Sequence, residues 1–131
     1  MRWRSIRLQY MSAHGAATMS AMWLEPVPLV AQPHFRPPAD VYESDQALIV
    51  RAEIGGLRDG DVEVQLYEDA LVIEGRRQSS LDEGRRLHEV GIRTGPFRLE
   101  VPLPRAVSGS QVDARYDAGV VVVTLPWSVR A

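Results

Sequence analysis

The sequence predicts an all-β fold, an antiparallel β-sandwich that follows a flexible N-terminal arm. Apolar and polar residues alternate with a period of two in several runs after residue 40, as expected of half-buried strands. These runs are short, and Gly, Pro and Asp residues separate them. We find no long helical repeat. Short strands with frequent turns are typical of a β-sandwich.

The predicted strands follow one another between turn signals. Val62, Val64 and Leu66 alternate with acidic or amide side chains, so one face of that strand is expected to be buried. Residues 120–125 are apolar on both faces, which indicates a central strand. Pro102 indicates that its strand lies at an edge or contains a bulge. The predicted strands span residues 47–54, 61–67, 70–75, 97–103, 112–116 and 120–125.

The connection from Arg76 to Pro96 is long for a hairpin, and connections of this length usually carry function or structure of their own. Its first half is polar and charged, whereas Leu87, Val90 and Ile92 bring apolar side chains near its end. We therefore predict a short additional strand in the second half.

The first 39 residues differ in composition from the rest of the chain. All four Met residues lie within the first 22 positions, together with Trp3, Tyr10 and Trp23, and acidic residues are nearly missing. Five prolines between residues 26 and 38 disfavour a regular helix. We predict a flexible N-terminal arm and Pro-rich linker at 1–39, a folded domain at 40–126 and a short tail at 127–131.

The charge of the chain excludes some functions. Before Asp40 there are four Arg residues and one acid, whereas from Asp40 onward eleven Arg residues face sixteen acids. An acidic body argues against nucleic acid as a partner, and no stretch approaches the roughly 18 apolar residues that cross a membrane.

Without cysteine, a disulfide or a thiolate metal site is impossible. No apolar export-signal core develops near the N-terminus, and we expect a cytoplasmic protein.

Three motifs in the predicted domain occur in the order found in a known family. Residues 71–76 read Leu-Val-Ile-Glu-Gly-Arg, residues 95–104 begin with Gly-Pro-Phe and end with Leu-Pro, and Ala114 precedes Gly119-Val120. Residues 40–126 therefore resemble an α-crystallin domain, the immunoglobulin-like β-sandwich of small heat shock proteins. The resemblance implies an ATP-independent holdase chaperone that binds non-native client proteins and prevents their aggregation.

The chain departs from the family pattern at two places. The Arg of the family's Gly-x-Phe-x-Arg strand is Leu99 here, so an ion pair that this Arg makes between subunits in relatives is not expected. The family's Ile-x-Ile or Ile-x-Val tail motif, which docks into a groove and links dimers, is reduced to Val129-x-Ala131. We therefore expect a homodimer or a small homo-oligomer.

The site predictions follow from this resemblance and from the composition of the arm. Met and aromatic side chains adapt to irregular apolar partners, which suits client binding. The alternatives are that arm residues pack as core, that groove residues are plain interior, and that the loop folds onto its own subunit. The predicted residues are Trp3, Tyr10, Met11, Met19, Met22, Trp23 and Leu24 for clients, Val62, Val64, Leu66, Val112, Ala114 and Tyr116 for a groove, and Leu87, Val90 and Ile92 for the dimer interface.

Catalysis has little support in the sequence. His14, His34 and His88 lack the HxxxH or HExxH spacing of metal sites, and there is no nucleophile elbow or phosphate-cradling Gly loop. We therefore expect no enzymatic activity, no cofactor and no metal. The main alternative function is a CS-domain-like adaptor or co-chaperone with one defined partner. An assembly accessory factor is a further alternative, and a hydrolase on a β-sandwich is a more distant one.

Overall fold

A computed structural model describes residues 6, 8–11, 34–79 and 84–129 of the chain. These residues form two four-stranded sheets whose inner faces share one apolar core, which confirms the predicted β-sandwich. One sheet has the strand order β1-β4-β5-β6 and the other has β2-β3-β8-β7. The strands are β1 (Leu8–Tyr10), β2 (Ala39–Glu43), β3 (Ala47–Glu53), β4 (Val62–Leu66), β5 (Ala70–Arg77), β6 (Gly95–Pro102), β7 (Asp113–Asp117) and β8 (Val120–Pro126), with a 3₁₀ turn at Gly109–Gln111.

Neighbouring strands are antiparallel, except that β1 runs parallel to β4. The predicted central strand is confirmed, since β8 lies between β3 and β7. Its residues Val121, Val123 and Leu125 are fully buried, and the residues between them are half-buried. The edge predicted from Pro102 is also confirmed, because β6 ends its sheet.

The hairpin between β7 and β8 explains why glycine follows alanine at the turn. Asp117 pairs with Val120, which leaves a two-residue connection. Both connecting residues have positive φ, 51° at Ala118 and 81° at Gly119, as the type I′ turns of tight hairpins require. This turn matches the right-handed twist of the flanking strands.

Gly75, at the end of the 71–76 motif, is required by a close backbone approach. A Cβ atom at this position would lie 1.9 Å from the Asp61 carbonyl oxygen and 2.8 Å from the Phe97 ring. The same carbonyl accepts a hydrogen bond from the backbone N–H of Arg76 at 3.0 Å. Only a residue without a side chain lets the chain before β4 close onto β5 in this way.

The last residues of the predicted linker lie on the sandwich. Phe35 donates its N–H to the Pro96 carbonyl at 3.1 Å and accepts a hydrogen bond from the Arg98 N–H at 3.0 Å, so it pairs with the outer edge of β6. Its ring is buried, 5.8 Å from the Phe97 ring centroid, and Pro37 is buried as well. The extended conformation that prolines favour suits this edge pairing. Phe35 and Pro37 are therefore held against the domain, within the segment 1–39 that the sequence analysis assigns to the arm and linker.

The long connection after β5 is irregular in the part that the structure describes. In its described second half, residues 84–94, there is no strand, so the predicted short strand does not form within the single chain. The end of this connection is held in place, because Arg77 donates Nε and Nη2 hydrogen bonds to the Arg93 carbonyl at 2.8 and 2.5 Å. The guanidinium groups of Arg77 and Arg93 also lie over the Phe35 ring, at 5.2 and 5.5 Å from its centroid.

Candidate functional site

The predicted client-binding residues are only partly covered by the structure. Tyr10 is the last residue of β1 and Met11 follows it, both beside the end of β4, with Tyr10 59% exposed and Met11 37% exposed. The Tyr10 hydroxyl donates a hydrogen bond to the Gly109 carbonyl at 2.6 Å. Each therefore touches the domain and still presents apolar surface. The other predicted client contacts lie outside the described residues: Trp3, Met19, Met22, Trp23 and Leu24.

The predicted groove residues belong to β4 in one sheet and to β7 and its approach in the other. The structure places them in the common core or against it. Five of the six are buried, and Val112 is half-buried. Their positions are Val62, Val64, Leu66, Val112, Ala114 and Tyr116.

Tyr116 of β7 bonds to the connection that leads from β3 to β4. Its ring is buried, and its hydroxyl donates a hydrogen bond to the Ile54 carbonyl at 2.8 Å. The backbone N–H of Leu57 donates to the same hydroxyl at 3.4 Å. Because a buried hydroxyl needs a partner, these bonds fix the loop after β3 against β7.

A segment of the arm closes the side of the sandwich where β4 and β7 lie. Leu8 to Tyr10 pair in parallel with Val64 to Leu66, and the Ile6 N–H donates to the Ala114 carbonyl at 2.9 Å. Ile6 is only 6% exposed and belongs to the core. The sequence interpretation missed Ile6, although the Ile6-x-Leu8 spacing is the period-two signal of a strand.

The predicted dimer residues are the most exposed apolar group of the domain. Leu87 is 52% exposed, Val90 66% and Ile92 72%. They do not fold back onto their own subunit. At the end of the other sheet, β2 also exposes Val41 and Tyr42. The domain therefore presents two apolar patches, one on an irregular loop and one on a terminal strand.

The side chain of Leu99 lies in the core and is fully buried. The neighbouring residue Arg98 faces outward instead and forms an ion pair with Glu74 of the same subunit. Gln65 donates a hydrogen bond from Nε2 to the Glu74 carboxylate at 2.9 Å. The charge of Arg98 is therefore compensated within the subunit.

The described residues form no candidate metal site. They contain no group of three His, Asp or Glu side chains that could hold a metal ion. His34 and His88 are both exposed, and His14 lies outside the described residues. A search of the same residues finds no helix long and apolar enough to cross a membrane.

A surface cleft of about 800 Å³ lies around Trp127 near the end of the domain. The Trp127 ring is buried, its Nε1 donates to the Ser44 carbonyl at 3.0 Å, and the Arg105 guanidinium lies 4.5 Å from its centroid. Val129, which follows, is 91% exposed. The described part of the tail therefore packs beside the loop after β2 and leaves Val129 in solvent.

Comparison with known proteins supports the family resemblance. The Hsp20/alpha crystallin family profile matches residues 40–131. A probable 15 kDa heat shock protein of Leptospira interrogans is 31% identical over 90 residues, which cover 69% of this chain and 68% of the relative. Spore protein SP21 of Stigmatella aurantiaca is 33% identical over 95 residues, or 72% of this chain and 56% of the relative.

Solved structures show the same fold. Heat shock protein 16.0 from Schizosaccharomyces pombe superposes with a TM-score of 0.68 at 23% identity, covering 75% of this chain and 92% of the other. The hspA protein from Xanthomonas axonopodis gives 0.67 at 25% identity, covering 76% and 100%. The motifs, the two sheets and these matches agree, and the chain belongs to the Hsp20/alpha crystallin family, the small heat shock proteins.

Proposed function

We propose that this chain is an ATP-independent holdase that binds partly unfolded proteins and prevents their aggregation. The proposal is carried by one observation. The two sheets enclose an apolar core, yet large apolar side chains remain exposed to solvent outside it, chiefly Leu87, Val90 and Ile92. Exposed apolar patches of this kind mark binding surfaces. Family membership supports a chaperone role for them. The function is physical, with no enzymatic step.

Client binding in this proposal relies on the arm. Its Met and aromatic residues adapt to varied apolar surfaces, and each Å² of apolar surface buried contributes about 25 cal/mol. Tyr10 and Met11 support this role, since both are partly exposed where the arm meets the domain. The proposed client contacts remain Trp3, Tyr10, Met11, Met19, Met22, Trp23 and Leu24.

Self-assembly is the second part of the proposal. Leu87, Val90 and Ile92 are exposed on a segment that forms no strand in its own subunit among the described residues, whereas β2 lies at the end of its sheet with Val41 and Tyr42 exposed. Pairing the loop of one subunit with a β2 edge of another would satisfy backbone groups and cover both apolar patches. We propose a homodimer or small homo-oligomer formed in this way, in the cytoplasm.

The dimer is tested by changing Leu87, Val90 and Ile92 to Ser together and measuring mass by light scattering. The mass should fall to that of one chain, because the apolar contacts between subunits are lost. A control with His88 and Glu89 changed to Ser, in the same loop, should keep the wild-type mass. An unchanged mass in the triple variant would contradict the interface.

The client contacts are tested by heat aggregation of an unrelated enzyme in buffer without nucleotide. Changing Met19, Met22, Trp23 and Leu24 to Ser leaves Ile6 to Met11 intact, so the side of the sandwich stays closed. We expect this variant to need several-fold more protein than wild type for equal suppression. Equal potency would remove these four residues from client binding. No suppression even by wild type would favour an adaptor with one partner.

A further inference from the structure

A single aromatic ring links the segment before β2 to the connection between β5 and β6. Phe35 forms a parallel bridge with Phe97 at the outer edge of β6, and the two ring centroids are 5.8 Å apart. The guanidinium groups of Arg77 and Arg93 lie over the Phe35 ring, at 5.2 and 5.5 Å from its centroid. Arg93 belongs to the loop of residues 84–94, whereas Arg77 ends β5. Separate parts of the chain therefore meet at one side chain.

Arg93 fixes the end of this loop to the domain. Within residues 86–94, the hydrogen bonds to the rest of the described chain are the two that Arg77 donates to the Arg93 carbonyl, at 2.8 and 2.5 Å. Ile92 is the preceding residue, and Val90 lies farther back, separated from Arg93 by at most about 11 Å of extended chain. A restrained Arg93 therefore limits the positions that these two exposed apolar side chains can reach.

The ring is the electrostatic partner of both arginines. Neither Arg77 nor Arg93 forms an ion pair within the part of the chain that the structure describes. The face of an aromatic ring attracts a guanidinium group that lies within about 6 Å of the ring centroid, and the attraction grows when water is excluded. The Phe35 ring is buried. Leucine at this position would fill similar space but would leave two like charges without that attraction.

We propose that Phe35 is a positioning residue that couples the linker to the loop. While its ring is seated against β6, it holds Arg77 and Arg93 together and keeps the end of the loop on the domain. When the linker leaves this edge, both arginines lose the ring, and the loop is released from Arg93 backward. Detachment of the linker and release of the loop are therefore one event.

The coupling affects self-assembly, and this part rests on the interface proposed above. Leu87, Val90 and Ile92 lie on the loop. A loop that is already held loses less conformational freedom when it pairs with a second copy of the chain. A seated linker therefore favours pairing between subunits, and an unseated linker weakens it. The coupling inside one chain does not depend on that interface.

The motion of the loop is measured with a nitroxide spin label on a cysteine in place of Gly91. This position is exposed, and a Cβ atom there has no neighbour within 4 Å, so Gly91→Cys accepts the label without new contacts. The chain has no cysteine of its own. The background carries Leu87→Ser, Val90→Ser and Ile92→Ser, which removes the proposed pairing between subunits. In a second chain, Gly55→Cys, also at an open position, reports on the domain.

Three substitutions are compared in this background. Phe35→Leu removes the ring face and keeps an apolar side chain, and Arg77→Met removes the cation and its donors. We expect the Gly91→Cys label to reorient about twofold faster in each, because either change frees the end of the loop. Arg76→Met is the matched control, since Arg76 is exposed and faces away from Arg77 on β5, and it should leave the motion unchanged. The Gly55→Cys label should respond to none of them.

A double variant separates this coupling from a general loss of packing. If Phe35 and Arg77 act through the same contact, combining Phe35→Leu with Arg77→Met should free the label by less than the sum of the two single changes. Effects that add would mean two independent causes, and unchanged motion in Phe35→Leu would mean that the ring does not hold the loop. Either result would overturn the proposal.

Pairing between subunits is measured with Leu87, Val90 and Ile92 intact, from the mass at increasing dilution. Phe35→Leu should raise the dissociation constant by roughly threefold to tenfold, whereas Arg76→Met should match wild type. An unchanged constant beside a faster label would overturn the link to assembly. If the triple Ser variant keeps the wild-type mass, the proposed interface fails, while the label comparison still decides whether Phe35 holds the loop.

Discussion

Phe35 belongs to the folded domain, although it lies in the Pro-rich segment that precedes β2. Its ring is 6% exposed, lies 5.8 Å from the Phe97 ring centroid and is covered by two Arg side chains. Replacing a buried Phe by Ala costs about 3–5 kcal/mol. We expect about 3 kcal/mol for Phe35→Ala, because an edge position relaxes more easily than the centre of a core.

The assay is urea or thermal unfolding at one fixed protein concentration, since assembly contributes to apparent stability. A loss of about 3 kcal/mol lowers Tm by roughly 12–24 °C in a domain of this size. The control is His34→Ala, which removes a neighbouring exposed ring and should change stability by no more than about 0.5 kcal/mol.

The same reasoning applies to the boundary of the domain. A chain that begins at residue 34 keeps Phe35 and Pro37, whereas one that begins at residue 40 loses both. The first should be more stable than the second by at least about 3 kcal/mol. If Phe35→Ala costs no more than His34→Ala, or the two shortened chains are equally stable, the assignment of Phe35 to the core is wrong.

Three further changes test the packing. Gly75→Ala places a methyl group on the Asp61 carbonyl and should cost about 1–3 kcal/mol in urea unfolding, and a neutral result would mean that this backbone approach is loose. Tyr116→Phe removes the hydroxyl that bonds to the Ile54 carbonyl and should lower stability by about 1 kcal/mol, whereas unchanged stability would show that the bond contributes nothing net. Ala118→Gly relieves a φ of 51° and should raise stability by about 0.5 kcal/mol, with a fall arguing against strain at the turn.

Local sequence patterns are sufficient to predict most strands of the two sheets. Val62, Val64 and Leu66 alternate with polar residues, and the turn at Asp117 to Val120 carries glycine where a positive φ is needed. Each of the six predicted strands therefore carries its own signal of period and of its end, whereas β1 and β2 were not predicted. For this reason the predicted strands lie within a few residues of those observed.

The contacts of the arm and linker have no comparable local signal. Ile6 and Leu8 form one short alternation, and Phe35 is a single aromatic residue between prolines. Their burial depends on edges of β4 and β6 that are distant in sequence. A period-two pattern of two or three residues does not reveal such a pairing, because the partner strand supplies most of the interaction.

The loop residues Leu87, Val90 and Ile92 illustrate a different limit. Their apolar character is visible in the sequence, yet one subunit leaves them exposed. A strand there needs a partner from another chain, and no period within a single sequence specifies that partner. The prediction of a dimer interface at these residues therefore stays a prediction until the mass of the triple Ser variant is known.

The central claim is that this small heat shock protein holds many unfolded proteins without ATP. The most direct test is the heat aggregation of two unrelated enzymes, titrated with the intact chain in nucleotide-free buffer. We predict suppression of both enzymes near a stoichiometric ratio, with each enzyme recovered in a complex with the chain. Suppression of neither enzyme at several-fold excess, or of one alone, would contradict the claim and indicate a dedicated partner.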